Sequence, residues 1–203
     1  MQTPLTRQKI VVNVGSGPPG SLPRSAFFHD WHQVRIDIEE SAKPDIVADI
    51  ADLSTLEDDM ADAVWCSHSL EHLYPHQVVS ALGEFHRILN DDGFAVALVP
   101  DIQAVAEMMG TDRFHEVVYD SPAGPVTAHD MVYGFAPAIA AGYHSMAHRC
   151  GFTPSILVNF LDQTPFGEYA IRRLPSLELA IVARKNKRDH NINCADLLLA
   201  LDL

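Results

Sequence analysis

The sequence predicts an α/β protein, a Rossmann-like sheet of seven strands, mostly parallel, flanked by helices. Three observations predict it. Short apolar runs alternate with helical or irregular crossovers through the first half of the chain. The first run ends on a glycine-rich turn, where a parallel sheet places its ligand. Two more strand-like runs follow a long stretch that shows none.

Residues 10–14 (Ile-Val-Val-Asn-Val) read as a buried strand that stops at Gly15-Ser16-Gly17-Pro18-Pro19-Gly20. Residues 34–38 form the second strand, with Asp37 near its end, and 46–48 the third, followed by Asp49. Residues 63–67 make the fourth. A helix fits 76–89, where Val78, Leu82, Phe85 and Leu89 recur at helical spacing. Asn90-Asp91-Asp92-Gly93 reads as the turn that stops it, before a fifth strand at 94–99 closed by Pro100. From 101 to 150 no strand is evident, and the stretch reads as a cap of helices and loops inserted over the sheet's carboxyl edge. Thr153-Pro154 is a helix start, with Thr as N-cap and Pro at the first helical position. Strands at 168–172 and 177–183 bring the count to seven. The division expected is one domain over 1–185, then a charged linker and short amphipathic helix over 186–203.

Composition narrows the function. The 203 residues carry 14 Lys and Arg against 27 Asp and Glu, a formal charge of −13. A nucleic-acid partner needs a basic surface to release counterions, so none is expected; the balance suits a cationic ligand instead. The one basic cluster, Arg184 to Arg188, reads as a solvated domain edge. No apolar run reaches membrane-span length, and none resembles a signal peptide. Cys66, Cys150 and Cys194 form no CxxC pair, which fits a reducing, cytoplasmic setting.

Gly15-x-Gly17-x-x-Gly20, with Asp37 downstream, matches a dinucleotide fingerprint. That fingerprint needs a long helix starting at the glycines to hold a pyrophosphate. Pro18, Pro19 and Pro23 crowd this stretch, and a helix interior tolerates proline badly. Only a short turn near Ser25 to Trp31 is left, so a cofactor without a pyrophosphate fits better.

Val11-Val12-Asn13-Val14-Gly15-Ser16-Gly17 resembles the first motif of the class I S-adenosylmethionine (SAM)-dependent methyltransferases, and the chain is most similar to their small type 11-like group. Cys66-Ser67-His68-Ser69-Leu70-Glu71-His72-Leu73 resembles that family's fourth-strand signature. The segment from Glu84 through Arg87 to Gly93 resembles its E-x-x-R-V-L-x-P-G-G stretch. Asn13 stands where the family carries an acid, and Asp91-Asp92 where it carries Pro-Gly. The resemblance implies SAM as cofactor and a methyl transfer, here to a small-molecule acceptor. It implies that Asp37 chelates the ribose hydroxyls and that Asp49 bonds the adenine amino group. Asn13, Gly15, Ser16, Gly17, Ile38, Ile50, Ser67 and His68 complete the expected cofactor set.

Three residues of the cap region are candidates to orient or deprotonate the acceptor: His148, His129 and Tyr133. Histidine suits proton transfer near neutral pH. His68, His72 and His76 fall at steps of four and could hold a metal if that segment were helical. The expectation is no metal, with His68 lining the cofactor pocket and Glu71 and His72 fixing the helix start. Leu197, Leu198, Leu201 and Leu203 are too apolar for water, and a second subunit or the chain's own domain would cover them. Besides methyl transfer, a non-catalytic SAM-binding module and an enzyme using the cofactor for aminopropyl transfer remain as alternatives.

Overall fold

The computed structural model describes residues 7–19, 26–187 and 192–203. Strand β1 (Ile10–Val14) turns Val11 to one face of the sheet and Val12 and Val14 to the other, the period-two alternation of a strand covered on both sides. After a 3-10 turn at Ala26–Phe28 come β2 (His32–Asp37), β3 (Ile46–Val47) and β4 (Ala61–Ser67). A 3-10 turn at Leu70–His72 leads to α1 (Pro75–Ile88) and β5 (Leu89–Pro100). Then follow α2 (Ile102–Gly110), β6 (Val117–Ser121), β7 (Gly124–Thr127), α3 (Ala128–Tyr133) and α4 (Ala136–Ala140). The chain closes with α5 (Pro154–Leu161), β8 (Glu168–Arg173), β9 (Glu178–Arg184) and α6 (Cys194–Ala200).

The seven-stranded sheet has the order β3-β2-β1-β4-β5-β9-β8. β1 to β5 pair in parallel, and β9 runs antiparallel to both β5 and β8. The strand order reverses between β1 and β4, so the carboxyl ends of those two strands open a crevice. Gly15 follows one of them and His68 the other.

α1 begins with Pro75, and the Tyr74 backbone N–H donates to Gln77 Oε1 at 3.0 Å. Its buried stripe is Val78, Ala81, Leu82, Phe85 and Ile88. Glu71 and His72 therefore do not fix the helix start; they lie in the preceding 3-10 turn. On the helix's last turn Arg87 donates to both oxygens of Glu84 at 2.8 Å, to Asp58 at 2.6 Å, and to the carbonyls of Leu53 and Leu56 at 2.8 and 2.9 Å. Glu84 Oε2 also accepts the Leu53 N–H at 2.7 Å. The Glu84–Arg87 motif thus clasps the segment between β3 and β4, which carries Asp49 and Ile50.

Two elements differ from the sequence reading. Asn90–Gly93, read as a turn, is a bulged start of β5: the register slips between Ala61 and Ala63, and the Asp92 N–H donates to Asn90 Oδ1 at 3.1 Å. The cap, read as strandless, contains the antiparallel hairpin β6–β7. Val-Val-Tyr-Asp-Ser and Gly-Pro-Val-Thr are short and half-exposed, so they lack the apolar signature of a core strand. Around the turn, Ser121 Oγ donates to the Gly124 carbonyl at 2.8 Å and accepts the Ala123 N–H at 3.2 Å. The cap has a small core of its own, Val105, Val126, Ala128 and Met131.

The tail is part of the sheet's cover. One face of the sheet packs against α1, α5 and the β3–β4 segment. The other is covered by Phe28, Cys194, Leu197, Leu198, Leu201 and Leu203, which sit on Val11, Trp65, Phe94, Val96, Leu98 and Val182. The leucines offered by the sequence to a second subunit thus have their partner within the fold. Phe28 is buried in an edge-packed aromatic group with Trp31, Trp65 and Phe94, and Phe27 at its margin is exposed.

Two cations of the basic cluster are structural, and Lys187 is exposed. Arg184 is buried and donates to the Ile192 carbonyl at 2.9 Å; Lys185 pairs with Asp59 and donates to the Leu89 carbonyl at 2.6 Å. Arg188, like Gly20, Pro23 and Ser25, lies outside the described residues. Among the described residues no helix is long and apolar enough to cross a membrane.

Candidate active site

Gly15 and Gly17 take left-handed conformations, φ +62° and +63°, which a side chain rarely adopts. A Cβ on Gly15 would meet Ser69 Oγ at 1.9 Å, so the loop after β1 lies directly on the loop after β4. Asp37, buried at the end of β2, ties this loop down: its Oδ2 accepts the Gly17 N–H at 2.8 Å and its Oδ1 the Glu39 N–H at 2.9 Å. Arg35 Nη2 adds a bond to the Gly17 carbonyl at 2.6 Å.

A cavity of about 320 Å³ opens beside these groups. Of the ten residues expected at the cofactor, Gly15, Gly17, Asp37, Ile38, Asp49, Ile50 and His68 line it. The other three stand behind it. Asn13 and Ser16 are buried in and just after β1, and the Ser67 carbonyl accepts from Ser69 Oγ at 3.3 Å. The sequence reading missed Ser69, His72, Gln77, Ser145, Met146 and Arg149, which also line it. Ser145 is latched across the mouth by its bond to Glu39 Oε1 at 2.6 Å.

The residues present fit SAM. Two glycines without Cβ atoms let backbone approach the ligand, and among the described residues no long helix follows them to anchor a pyrophosphate. A carboxylate can accept about four hydrogen bonds, and Asp37 accepts two from backbone, leaving capacity for vicinal hydroxyls. Ile38 and Ile50 offer the apolar contact an adenine needs, with Asp49 next to them.

Past β4 the charges concentrate. His68, with φ +53°, sits between two buried carboxylates: Nε2 is 2.5 Å from Glu178 Oε1 and Nδ1 is 3.3 Å from Glu71 Oε1. Burial alone would lower the imidazole's pKa, but the two carboxylates outweigh it and push it up to about 9. Burial would likewise raise the Glu71 carboxyl, and His68 beside it holds it below the usual carboxylate range. Two carboxylates around one imidazolium leave a net charge of −1, favourable to a sulfonium cation nearby.

A second cavity, of about 190 Å³, shares His68, His72 and Met146 with the first. Its other walls include Glu71, Tyr119 and Ser121 of the hairpin, Asp130 and Met131 of α3, and His148. Backbone bonding sets this wall. The Arg149 and Cys150 N–H groups donate to the Glu71 carbonyl at 2.8 and 3.1 Å, and Arg149 Nη1 to the His72 carbonyl at 3.0 Å. Gly134 lets the cap close, because a Cβ there would meet the Met146 carbonyl oxygen at 2.0 Å. Burial holds the His148 imidazole below the ordinary histidine value, against the pull of Glu71.

Of the three acceptor-site candidates only His148 lines the cavity. His129 and Tyr133 are exposed on the outer side of α3, 4.8 Å apart ring to ring, where they pack with Phe114. Helical spacing turns Asp130 and Met131 inward instead. His76 is also exposed and stacks on Tyr74, so His68, His72 and His76 do not converge on one point.

A seven-stranded sheet with this order, a glycine turn after β1 and an acid closing β2 defines the class I methyltransferase architecture. Residues 13–97 match the family model described as a methyltransferase domain. Over that segment, under half of the chain, the sequence is similar to the methyltransferase-domain family, and the fold is that of the class I SAM-dependent methyltransferases. Solved structures share the fold at low identity. A Pyrococcus horikoshii protein aligns with a TM-score of 0.61 at 16% identity, covering 89% of this chain and 83% of that one. A SAM-dependent methyltransferase of Methanosarcina mazei aligns at 0.59 and 15% identity, covering 90% and 95%. The Burkholderia thailandensis 1,6-didemethyltoxoflavin-N1-methyltransferase, solved with 1,6-didemethyltoxoflavin and S-adenosylhomocysteine, aligns at 0.56 and 17% identity, covering 89% and 72%. No curated protein matches the chain.

Proposed function

We propose that the chain holds SAM in the first cavity and transfers its methyl group to a small molecule in the second. The observation that carries this reading is that the two cavities meet at His68, His72 and Met146, beyond the loop where Asp37 would hold the ribose. Bound there, SAM supplies an electrophilic methyl on a positively charged sulfur, to be displaced in line.

The chain's residues contribute position, charge and a proton acceptor. Asp37, Gly15 and Gly17 hold the cofactor end, while Glu71 and Glu178 around His68 favour the sulfonium charge. The hairpin and α3 wall off the second cavity and align the acceptor, which supplies much of the acceleration in a displacement of this kind. His148 Nδ1 faces the Met131 carbonyl at 3.0 Å, and a carbonyl only accepts, so Nδ1 carries the proton. Nε2 is left as the acceptor for the proton of a hydroxyl or amine as its oxygen or nitrogen takes the methyl. The Burkholderia enzyme, solved with a small heterocycle and the demethylated cofactor, supports a small-molecule acceptor.

A non-catalytic module would be favoured by a cap that fills its own pocket; the open second cavity supports catalysis instead. The acidic balance supports an acceptor other than nucleic acid, and the free cysteines suit action in the cytoplasm. The test is to incubate the protein with methyl-labelled SAM and a cell extract fractionated into small molecules, protein and nucleic acid. Label should enter the small-molecule fraction and depend on the protein. Label in protein or RNA, or in no fraction, would contradict the reading.

A further inference from the structure

The wall between the two cavities carries three Lewis-basic groups, of which the step above uses His148 as a proton acceptor and Glu71 as a charge, and gives His72 no task. Glu71, His72 and His148 each bring one ligand atom within 4.8 Å of the other two. We propose that they form the binding site of one divalent transition-metal ion of the zinc class, with an open coordination position facing the second cavity.

Three features of the wall carry this. The first is the histidine tautomers. His148 Nδ1 lies 3.0 Å from the Met131 carbonyl and His72 Nδ1 3.3 Å from the Ala147 carbonyl. Both rings must donate through Nδ1, which leaves each Nε2 with a free lone pair. A ligating histidine is characteristically oriented this way, its second nitrogen donating to a carbonyl or carboxylate. The rings are 4.9 Å apart, centroid to centroid.

The second is Glu71. Its residue is 1% exposed, and neither carboxylate oxygen receives a hydrogen bond. His68 stands at ion-pair distance but without hydrogen-bond alignment, and its shorter contact, 2.5 Å, goes to Glu178. Its charge is balanced in part by the His68 imidazolium, but a buried carboxylate that receives no hydrogen bond stays under-satisfied. A cation held between it and two imidazoles would satisfy its free oxygen.

The third is rigidity and donor type. Backbone bonds from Arg149 and Cys150 to the Glu71 carbonyl fix the two ligand-bearing segments against each other. Tetrahedral coordination at about 2.0–2.1 Å sets ligand atoms roughly 3.4 Å apart, so loading draws the side chains inward by about an ångström or less each. Two imidazoles and one carboxylate match the donor set of open, catalytic zinc sites and not the all-oxygen sites of magnesium or calcium. The sequence expectation was of no metal anywhere in the chain, weighed on His68, His72 and His76 with Glu71 between the first two; those histidines do not converge, and the proposed site departs from that expectation by adding His148 from the far side of the cap.

The role such an ion would have rests on the proposed reaction: with the ion bound, His148 Nε2 is a ligand and not the proton acceptor, the local negative charge is offset, and an acceptor oxygen at the open position would instead lose its proton more readily through the ion. Ion binding itself is independent of that reaction. The experiment strips the full-length protein with chelator and titrates it with Zn²⁺, and in parallel with Co²⁺ monitored by visible absorption. One equivalent of Zn²⁺ should bind in the micromolar range or below, with the absorption bands of four- or five-coordinate Co²⁺. Glu71→Gln and His148→Ala should each weaken binding about a hundredfold, whereas His76→Ala should bind as the wild type does. Thermal melting of each variant confirms that it is folded, and the near-isosteric Glu71→Gln keeps the test valid if His148→Ala is not. No stoichiometric binding to the wild type, or equal binding to a folded Glu71→Gln protein, would overturn the site. Ion binding without any labelled product would instead sink the transfer reaction and leave the site standing.

Discussion

His148→Ala should lower the rate of methyl transfer about a hundredfold, the loss expected when a proton acceptor is removed. Affinity for SAM should stay within about threefold, under 1 kcal/mol. The asymmetry follows from placement. His148 lines the second cavity and not the first. The segment around it is held by backbone bonds, His148 N–H to the Tyr133 carbonyl at 3.2 Å and Arg149 N–H to the Glu71 carbonyl at 2.8 Å, which an alanine keeps. Single-turnover transfer with labelled SAM and calorimetric titration of the cofactor separate the two effects. An unchanged rate would make His148 a structural hydrogen-bonder. A parallel fall in cofactor affinity would move it into the scaffold.

Arg87→Ala should have the largest effect on stability, a loss of about 2–4 kcal/mol. The guanidinium satisfies both oxygens of Glu84 and two backbone carbonyls, those of Leu53 and Leu56. Its bond to Asp58 counts for little, because that side chain is 70% exposed. Alanine would leave the mostly buried Glu84 carboxylate without its cation. For a chain of this size each kcal/mol shifts the melting temperature by roughly 2–4 °C. Arg87→Lys should recover only part of the loss, since an ammonium keeps the charge but not the planar fork. Thermal or urea unfolding measures it. A change below about 0.5 kcal/mol would show that the clasp behaves as an ordinary surface pair.

The Glu84–Arg87 pair also shows how much of this fold was legible. The motif could be read by resemblance; its physical task, holding the segment that carries Asp49 and Ile50, could not, because its partners lie far away in sequence. The strands were legible where apolar residues alternate on a sheet buried on both faces, as in β1, β4 and β9. The hairpin β6–β7 was not, since its residues are half wet and its turn rests on a serine side chain. The tail's leucines were read correctly as needing cover. Which surface covers them depends on how few helices pack on that face of the sheet, and no local pattern encodes that.

The cofactor side of the site was readable because it lies at strand ends, whose positions follow from the strands themselves. The acceptor side was not. His129 and Tyr133 qualify by residue type alone, yet the buried Asp130 and Met131 beside them show that α3 turns the pair outward. Glu71, His72 and His148 come together only because the chain returns from the cap along the 3-10 turn after β4, a long-range contact. The spacing of His68, His72 and His76 suggested a helix face, but α1 starts at Pro75 and divides them.

The central claim is that Asp37 and the glycine loop hold SAM, and calorimetric titration of the purified protein tests it most directly. The wild type should bind S-adenosylhomocysteine at one equivalent and show no affinity for NAD. Asp37→Ala should weaken that binding about tenfold or more, since hydrogen bonds to a charged group contribute roughly 1.5–3 kcal/mol each. Equal affinity in the two proteins would remove Asp37 from the site, and a wild type that bound NAD and ignored S-adenosylhomocysteine would contradict the account.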